Sequence, residues 1–182
     1  MENLELWLSV EKTDPRHTKQ ANVRGNKITA IAPQHQIKIA TSKFGAYGKG
    51  WGFKEINLDY SMLEKTGIVV FKGVFFFGSD SFPIISSISA FKDGAMTKPD
   101  ADFAKKVETD ALTKALSKLG FNADVFMGMY DDHKYVQMMN DEFNKPVPDE
   151  TALNWVSAIK NGTTTLDAIT DGNYKQYIQS IL

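Results

Sequence analysis

Three features of this chain carry residue types that invite chemistry. The first is KFGAYGKGWGFKEI, residues 43–56, where Gly45, Gly48, Gly50 and Gly52 crowd around Tyr47, Lys49 and Trp51. Glycine-rich loops with a lysine cradle nucleotide phosphates, but only at set spacings. Here the spacing is GxGxG, and Lys49 is followed by glycine where a phosphate loop needs Ser or Thr. The order is also reversed. Phosphate loops run from strand into helix, so that the helix N-terminus faces the anion; here a predicted helix ends and a predicted strand begins. The loop is therefore expected to be a tight turn in which glycine supplies positive φ or close approach.

The second is YDDHKY, where Asp131, Asp132 and His133 are metal-ligand types on a predicted loop. A solvated turn is the expected reading, ahead of a metal site. The predicted strands add only Glu55, Asp59 and Lys72, too little for a nuclease centre. No serine has an evident His–Asp partner pattern, and a chain without cysteine has neither thiolate metal sites nor cysteine nucleophiles. No enzyme is expected, and no cofactor.

The third is a charge distribution. Residues 10–54 carry nine basic groups against two acids, a net of +7, interleaved with Tyr47, Trp51 and Phe53. Residues 141–182 carry three lysines against six acids, a net of −3. Lysine reads backbone phosphate and aromatic faces stack on bases, so the basic half suits a polyanion. A solvated lysine-rich surface is the alternative.

Elements must position these groups. Pro33 to Phe44 predicts a helix, with proline in its first turn and Ile37, Ala40 and Phe44 at helical spacing. Three strands follow, in WGFKEINLDY, GIVVFKGVFFFG and SFPIISSISAF, joined by short polar turns that imply antiparallel hairpins. Pro83 puts the third strand at an edge or a bulge. PDADFAKKVETDALTKALSKLG predicts a long helix capped by Asp100 and stopped by Gly120. Its apolar stripe runs from Phe103 through Val107, Ala111, Leu112, Ala115 and Leu116 to Leu119. The other face holds Lys105, Lys106, Lys114 and Lys118. Helix, three strands and packed helix make an α+β fold with a β-β-β-α core.

At 182 residues one main domain is expected, over 1–145, with a small helical C-terminal element over 146–182 beyond the junction NKPVP. That element has apolar patches at Leu153/Trp155/Val156/Ile159, Leu166/Ile169 and Tyr174/Tyr177/Ile178/Ile181, and is expected to need a docking surface. Residues 1–30 read as polar loops. Met127, Met129, Met138 and Met139 suit either an adaptable partner surface or core filling. No apolar run reaches the roughly 18 residues of a membrane helix, and the start MENLELWLSV lacks the basic opening of a signal peptide.

APQHQIKIATSKFGAYGKGWGF, then three strands, then FAKKVETDALTKALSKLG, resembles the Rad fifty-two superfamily of single-strand annealing proteins, above all its bacteriophage Sak-like members. The matches are a helix ending in FG, a glycine loop closing on GW, and TDALTKALSKLG after the sheet, over residues 30–122, with the KTDPRHTK opening also typical of the phage proteins. The resemblance implies ATP-independent binding of single-stranded DNA and annealing of complementary strands in recombination. It also implies assembly into rings or helical oligomers, and a bacterial host cytosol as the place of action. Lys114 matches one of the family's basic pair, whose other position is Thr113, and Lys105 matches a lysine earlier on that helix. Where the family carries a DNA-contacting arginine in the first helix, this chain has His35. Lys38, Lys43, Lys49, Lys54, Lys72 and Lys106 join them as candidate DNA contacts through charge and proximity. A single-strand-binding module without annealing activity, and a metal-dependent nuclease using Asp131, Asp132 and His133, are the competing expectations. The C-terminal element is expected to dock a host single-strand-binding protein or a phage exonuclease.

Overall fold

A computed structural model describes residues 4–23, 25–144 and 148–182. Arg24 of the basic region and residues 145–147 of the predicted junction lie outside the described residues. In chain order the elements are α1 (Glu5–Val10), β1 (Thr18–Val23), β2 (Asn26–Ile31), α2 (Pro33–Phe44), β3 (Trp51–Asp59), α3 (Leu63–Thr66), β4 (Ile68–Phe77), β5 (Asp80–Ser89), α4 (Phe103–Lys118), α5 (Ala123–Phe126), α6 (His133–Phe143), α7 (Glu150–Lys160) and α8 (Gly172–Ile181). The chain divides into two units, Met1–Asn140 and Asp141–Leu182.

The first unit is α+β. Its sheet is antiparallel in the order β3-β4-β5, so the β-branched and aromatic run of β4 takes the centre. Pro83, which has no N–H for a ladder, sits on β5 at the sheet edge, opposite Val74. Side chains alternate across the sheet. Leu58, Phe71, Phe75, Ile84 and Ile88 belong to the core on the α4 side. Val70, Lys72, Val74 and Phe76 alternate with the core residues of β4 and point to the other side. Between Lys54 and Asn57 the register shifts, with Glu55 at φ 54°: a bulge that bends β3 and leaves Ile56 54% exposed.

The stripe read from the sequence is the buried face of α4: Val107, Ala111, Ala115 and Leu116 are fully buried, and the helix packs chiefly on β5. Trp51, Phe71, Phe75 and Phe121 join it without exposure of more than 1%. Each such side chain stabilises the fold by roughly 1.5–3 kcal/mol. Asp100 differs from its expected role. The N-cap position falls on Asp102, and Asp100 instead accepts from the Asp102 amide at 3.2 Å and from Lys106 Nζ at 2.5 Å. Gly120 does end the helix, at φ 93°, and a side chain there would meet the Trp7 ring of α1 at 2.6 Å.

The N-terminal region is structured where loops were expected. β1 and β2 form a hairpin, closed at its base by the Ala32 amide donating to the His17 carbonyl at 2.8 Å. The second unit gathers a small apolar cluster from Ala152, Ile169 and Ile178, with Trp155, Ile159, Tyr174 and Tyr177 packed around it. All three predicted patches contribute, and Asp149 and Asp171 cap α7 and α8 through their side chains. Of the four methionines only Met139 is buried; Met127, Met129 and Met138 are exposed. Among the described residues no helix is long and apolar enough to cross a membrane.

Candidate nucleic-acid interface

In the glycine loop the amides of Gly48, Lys49 and Gly50 are engaged within the turn itself. Gly48 N–H donates to the Trp51 carbonyl at 2.7 Å, while Lys49 and Gly50 N–H both donate to Ala46 at 3.0 and 2.8 Å. Trp51 Nε1 caps the Gly45 carbonyl at 3.0 Å, and Gly78 N–H reaches the Gly50 carbonyl at 2.8 Å, tying the loop to the β4–β5 turn. Gly45 and Gly48 take φ of 89° and 82°. At Gly50 the constraint is space, since a Cβ would lie 1.7 Å from the Phe44 carbonyl oxygen. The loop is a turn, with Lys49 and Tyr47 on its exposed side. Burial pushes the Tyr47 phenol up, and the Glu108 carboxylate of α4 adds to the rise.

α4 offers a surface of a different kind. Its polar side and β5 flank an open hollow of about 410 Å³ lined by Ile88, Lys105, Lys106, Thr109, Asp110 and Thr113. Two cations beside an open trough suit an anionic polymer passing over it, while Thr109 and Thr113 donate their hydroxyl protons to the Lys105 carbonyl and to Gln36. Acidic groups temper the lysines. Lys106 pairs with Asp100, which it holds below the usual carboxylate range. Lys114 Nζ lies 2.7 Å from Asp110 and 3.2 Å from Ser86 Oγ, and Ser86 in turn donates to Asp110. Among the described residues Lys105 makes no ion pair.

The other candidate lysines are spread over different surfaces. Lys38 and Lys43 are exposed on α2. Lys54 lies 4.4 Å from the centroid of the Phe76 ring, on the sheet face away from α4, worth about 0.5–1 kcal/mol at an exposed site. Lys72, on that same face, pairs with Asp59 at 2.7 Å and holds its carboxyl well below the usual range. The candidates therefore fall on both sides of the sheet, and Lys54 and Lys72 cannot join Lys105 in one trough. His35 stacks on His17 with ring centroids 3.8 Å apart, at the base of the hairpin. Burial lowers its pKa, as does His17 beside it, and its Nδ1 is buried without a hydrogen-bond partner.

Sequence reading missed two groups. Ser86 is 2% exposed on the core side of β5, and the strand's own alternation marks it, since it shares parity with Ile84 and Ile88. The second is a buried polar chain with no sequence signal. Thr113 Oγ1 donates to Gln36, Gln36 Nε2 to Asn122, Asn122 Nδ2 to Thr13, and Thr13 Oγ1 to Asp124 at 2.5 Å. Tyr130 OH also donates to the Thr13 carbonyl, and burial beside Asp124 pushes its phenol up. This chain fixes α2, α4 and α5 to one another, and so sets the orientation of Thr113 in the trough. At YDDHKY, Asp132 accepts from the Lys134 amide at 2.8 Å, and among the described residues no group of three or more His, Cys, Asp or Glu could hold a metal ion.

Neither a scan against protein-family models nor a search of curated proteins finds a match to this chain.

Proposed function

We propose that this protein binds single-stranded DNA through its backbone and anneals complementary strands without ATP, acting as an oligomer in recombination. The observation that carries this reading is the open trough along α4, with Lys105, Lys106, Thr109 and Thr113 beside β5 on a β-β-β-α core. An open trough lined by two lysines against one carboxylate, Asp110, suits a flexible polyanion better than a small ligand, which takes an enclosed pocket. Backbone contacts carry no sequence information, as annealing of any complementary pair requires. The order of the FG helix end, the GW loop and the TDALTKALSKLG helix supports the same reading.

The test mixes purified protein with two complementary oligonucleotides, in the absence of nucleotide and metal. Accelerated pairing is expected. Binding of single strands with retarded pairing would instead assign a protective single-strand-binding role, and no binding at low salt would overturn both.

For the second unit we propose a docking role toward a partner in the same process, a single-strand-binding protein or an exonuclease. Its acidic charge and an open hollow of about 360 Å³ on α7, lined by Thr151, Asn154, Trp155, Ala158 and Thr164, support this. Unchanged partner binding after deletion of residues 146–182 would overturn it.

A further inference from the structure

A second hollow lies on the opposite flank of α4 from the trough and differs from it in character. Because α4 packs chiefly on β5, the far end of β3 is left uncovered. The space there, about 290 Å³, is lined by Ile56, Leu58, Phe71, Ala104, Lys105 and Glu108. Phe71, in the core, and Leu58 belong to the sheet, and the bulge at Glu55 turns Ile56 out as one wall. At the same end of the sheet Tyr60, 48% exposed, meets Phe103 edge-on, with ring centroids 6.3 Å apart. Lys105 is the one residue that lines both hollows.

The chemistry decides what fits. Four of the six lining residues are apolar, so the space offers little to solvate a phosphate, and Glu108 repels one. A flat, uncharged heterocycle can lay its apolar face against Ile56, Leu58 and Ala104 while its polar edge stays in water through the open side of the hollow. The volume is at the low end for small-molecule sites and takes one ring system. Bases of a duplex are stacked and paired and cannot enter, whereas a base of a single strand can swing in.

We propose that the hollow between β3 and α4 receives one unstacked nucleobase while Lys105 holds an adjoining phosphate, so that this site distinguishes single strands from duplex. The assignment rests on the DNA-binding reading above and adds a base contact to it.

The test compares two end-labelled polymers of equal length and charge by fluorescence anisotropy, oligo-dT and an abasic deoxyribose-phosphate chain. Wild-type protein is expected to bind oligo-dT about tenfold more tightly, the scale of removing about 55 Å² of apolar surface from water. Ala104→Phe, at an exposed helix position, fills the hollow. It is expected to remove most of that preference while leaving abasic affinity within about twofold, as surface changes do. Ile56→Ser, at the exposed bulge, lowers the preference from the other wall. Equal affinity of wild-type protein for both polymers, or a preference that survives both substitutions, overturns the base site and leaves backbone binding standing. No binding of either polymer at low salt overturns the DNA-binding reading together with it.

Discussion

Lys114 Nζ lies 2.7 Å from Asp110 Oδ2, one turn back along α4. The lysine that best matches a DNA contact in the sequence is thus already engaged by a carboxylate, and a phosphate must compete for it. Both side chains are about half exposed, so the pair itself is weak and its partners can exchange.

Asp110→Asn is therefore expected to tighten single-strand binding by about two- to fivefold at low salt, the worth of an exposed ion pair. Lys114→Gln is expected to weaken it, and to reduce the slope of log affinity against log salt by about 0.7, the value for one lost phosphate contact on a single strand. Anisotropy titrations across a salt series measure both. An unchanged slope in Lys114→Gln would remove this lysine from the DNA path.

What was legible in the sequence followed from periodicity. α2, β3, β5 and α4 each put one face in the core, and burying one face forces a period of 3.6 or 2 onto the residues, whereas the central strand β4 was legible as an unbroken β-branched and aromatic run. The β1–β2 hairpin was not legible, because the described side chains between Lys19 and Ile28 are largely exposed on both faces and no alternation is imposed. The site was legible only as residue types. Lys105, Lys106 and Lys114 could be named, but Asp59 lies 13 residues from Lys72 and Ser86 lies 28 from Lys114. Only the fold reveals such partners. The chain from Thr113 through Gln36 and Asn122 to Asp124 is the extreme case, since polar residues that satisfy one another in the interior read as surface residues.

Two glycines of the same loop are expected to respond differently to alanine. At Gly50 a methyl group would collide with the Phe44 carbonyl, so the backbone must move, and a loss of about 3 kcal/mol is expected. At Gly48 the space is open and only the left-handed φ of 82° resists, so about 1 kcal/mol is expected. Urea unfolding followed by tryptophan fluorescence orders the two, and an equal loss would show that space at Gly50 is not the constraint.

Glu55 holds a φ of 54° in the bulge of β3, a conformation that costs a non-glycine residue about 1 kcal/mol. Glycine removes that strain but adds about 0.5 kcal/mol of unfolded-chain entropy. Glu55→Gly is thus expected to raise stability by ~0.5 kcal/mol and Glu55→Val to lower it by about 1 kcal/mol or more. Paired urea midpoints check the ordering, and a less stable glycine variant would mean that the Glu55 side chain contributes contacts worth more than the strain.

The His17–His35 stack makes stability depend on pH in a defined direction. Burial, then the neighbouring His17, lower the His35 pKa from 6.5, with Lys38 adding slightly and Asp14 opposing. A base with a lowered folded pKa takes its proton first in the unfolded chain, so protonation favours unfolding. Its contribution is full above pH 6.5 and falls as pH drops from there toward the lowered folded value. Asp14 acts in a separate window. Arg16 holds its carboxyl below 3.8, so its contribution is present above that value and is lost only as pH falls below it. The urea midpoint is therefore expected to fall between pH 7 and pH 5, before any acid-range loss. His35→Phe keeps a ring against His17 and removes the titration, so its midpoint should stay flat over that interval. An unchanged slope in His35→Phe would place the titrating group elsewhere and leave the stack as packing alone.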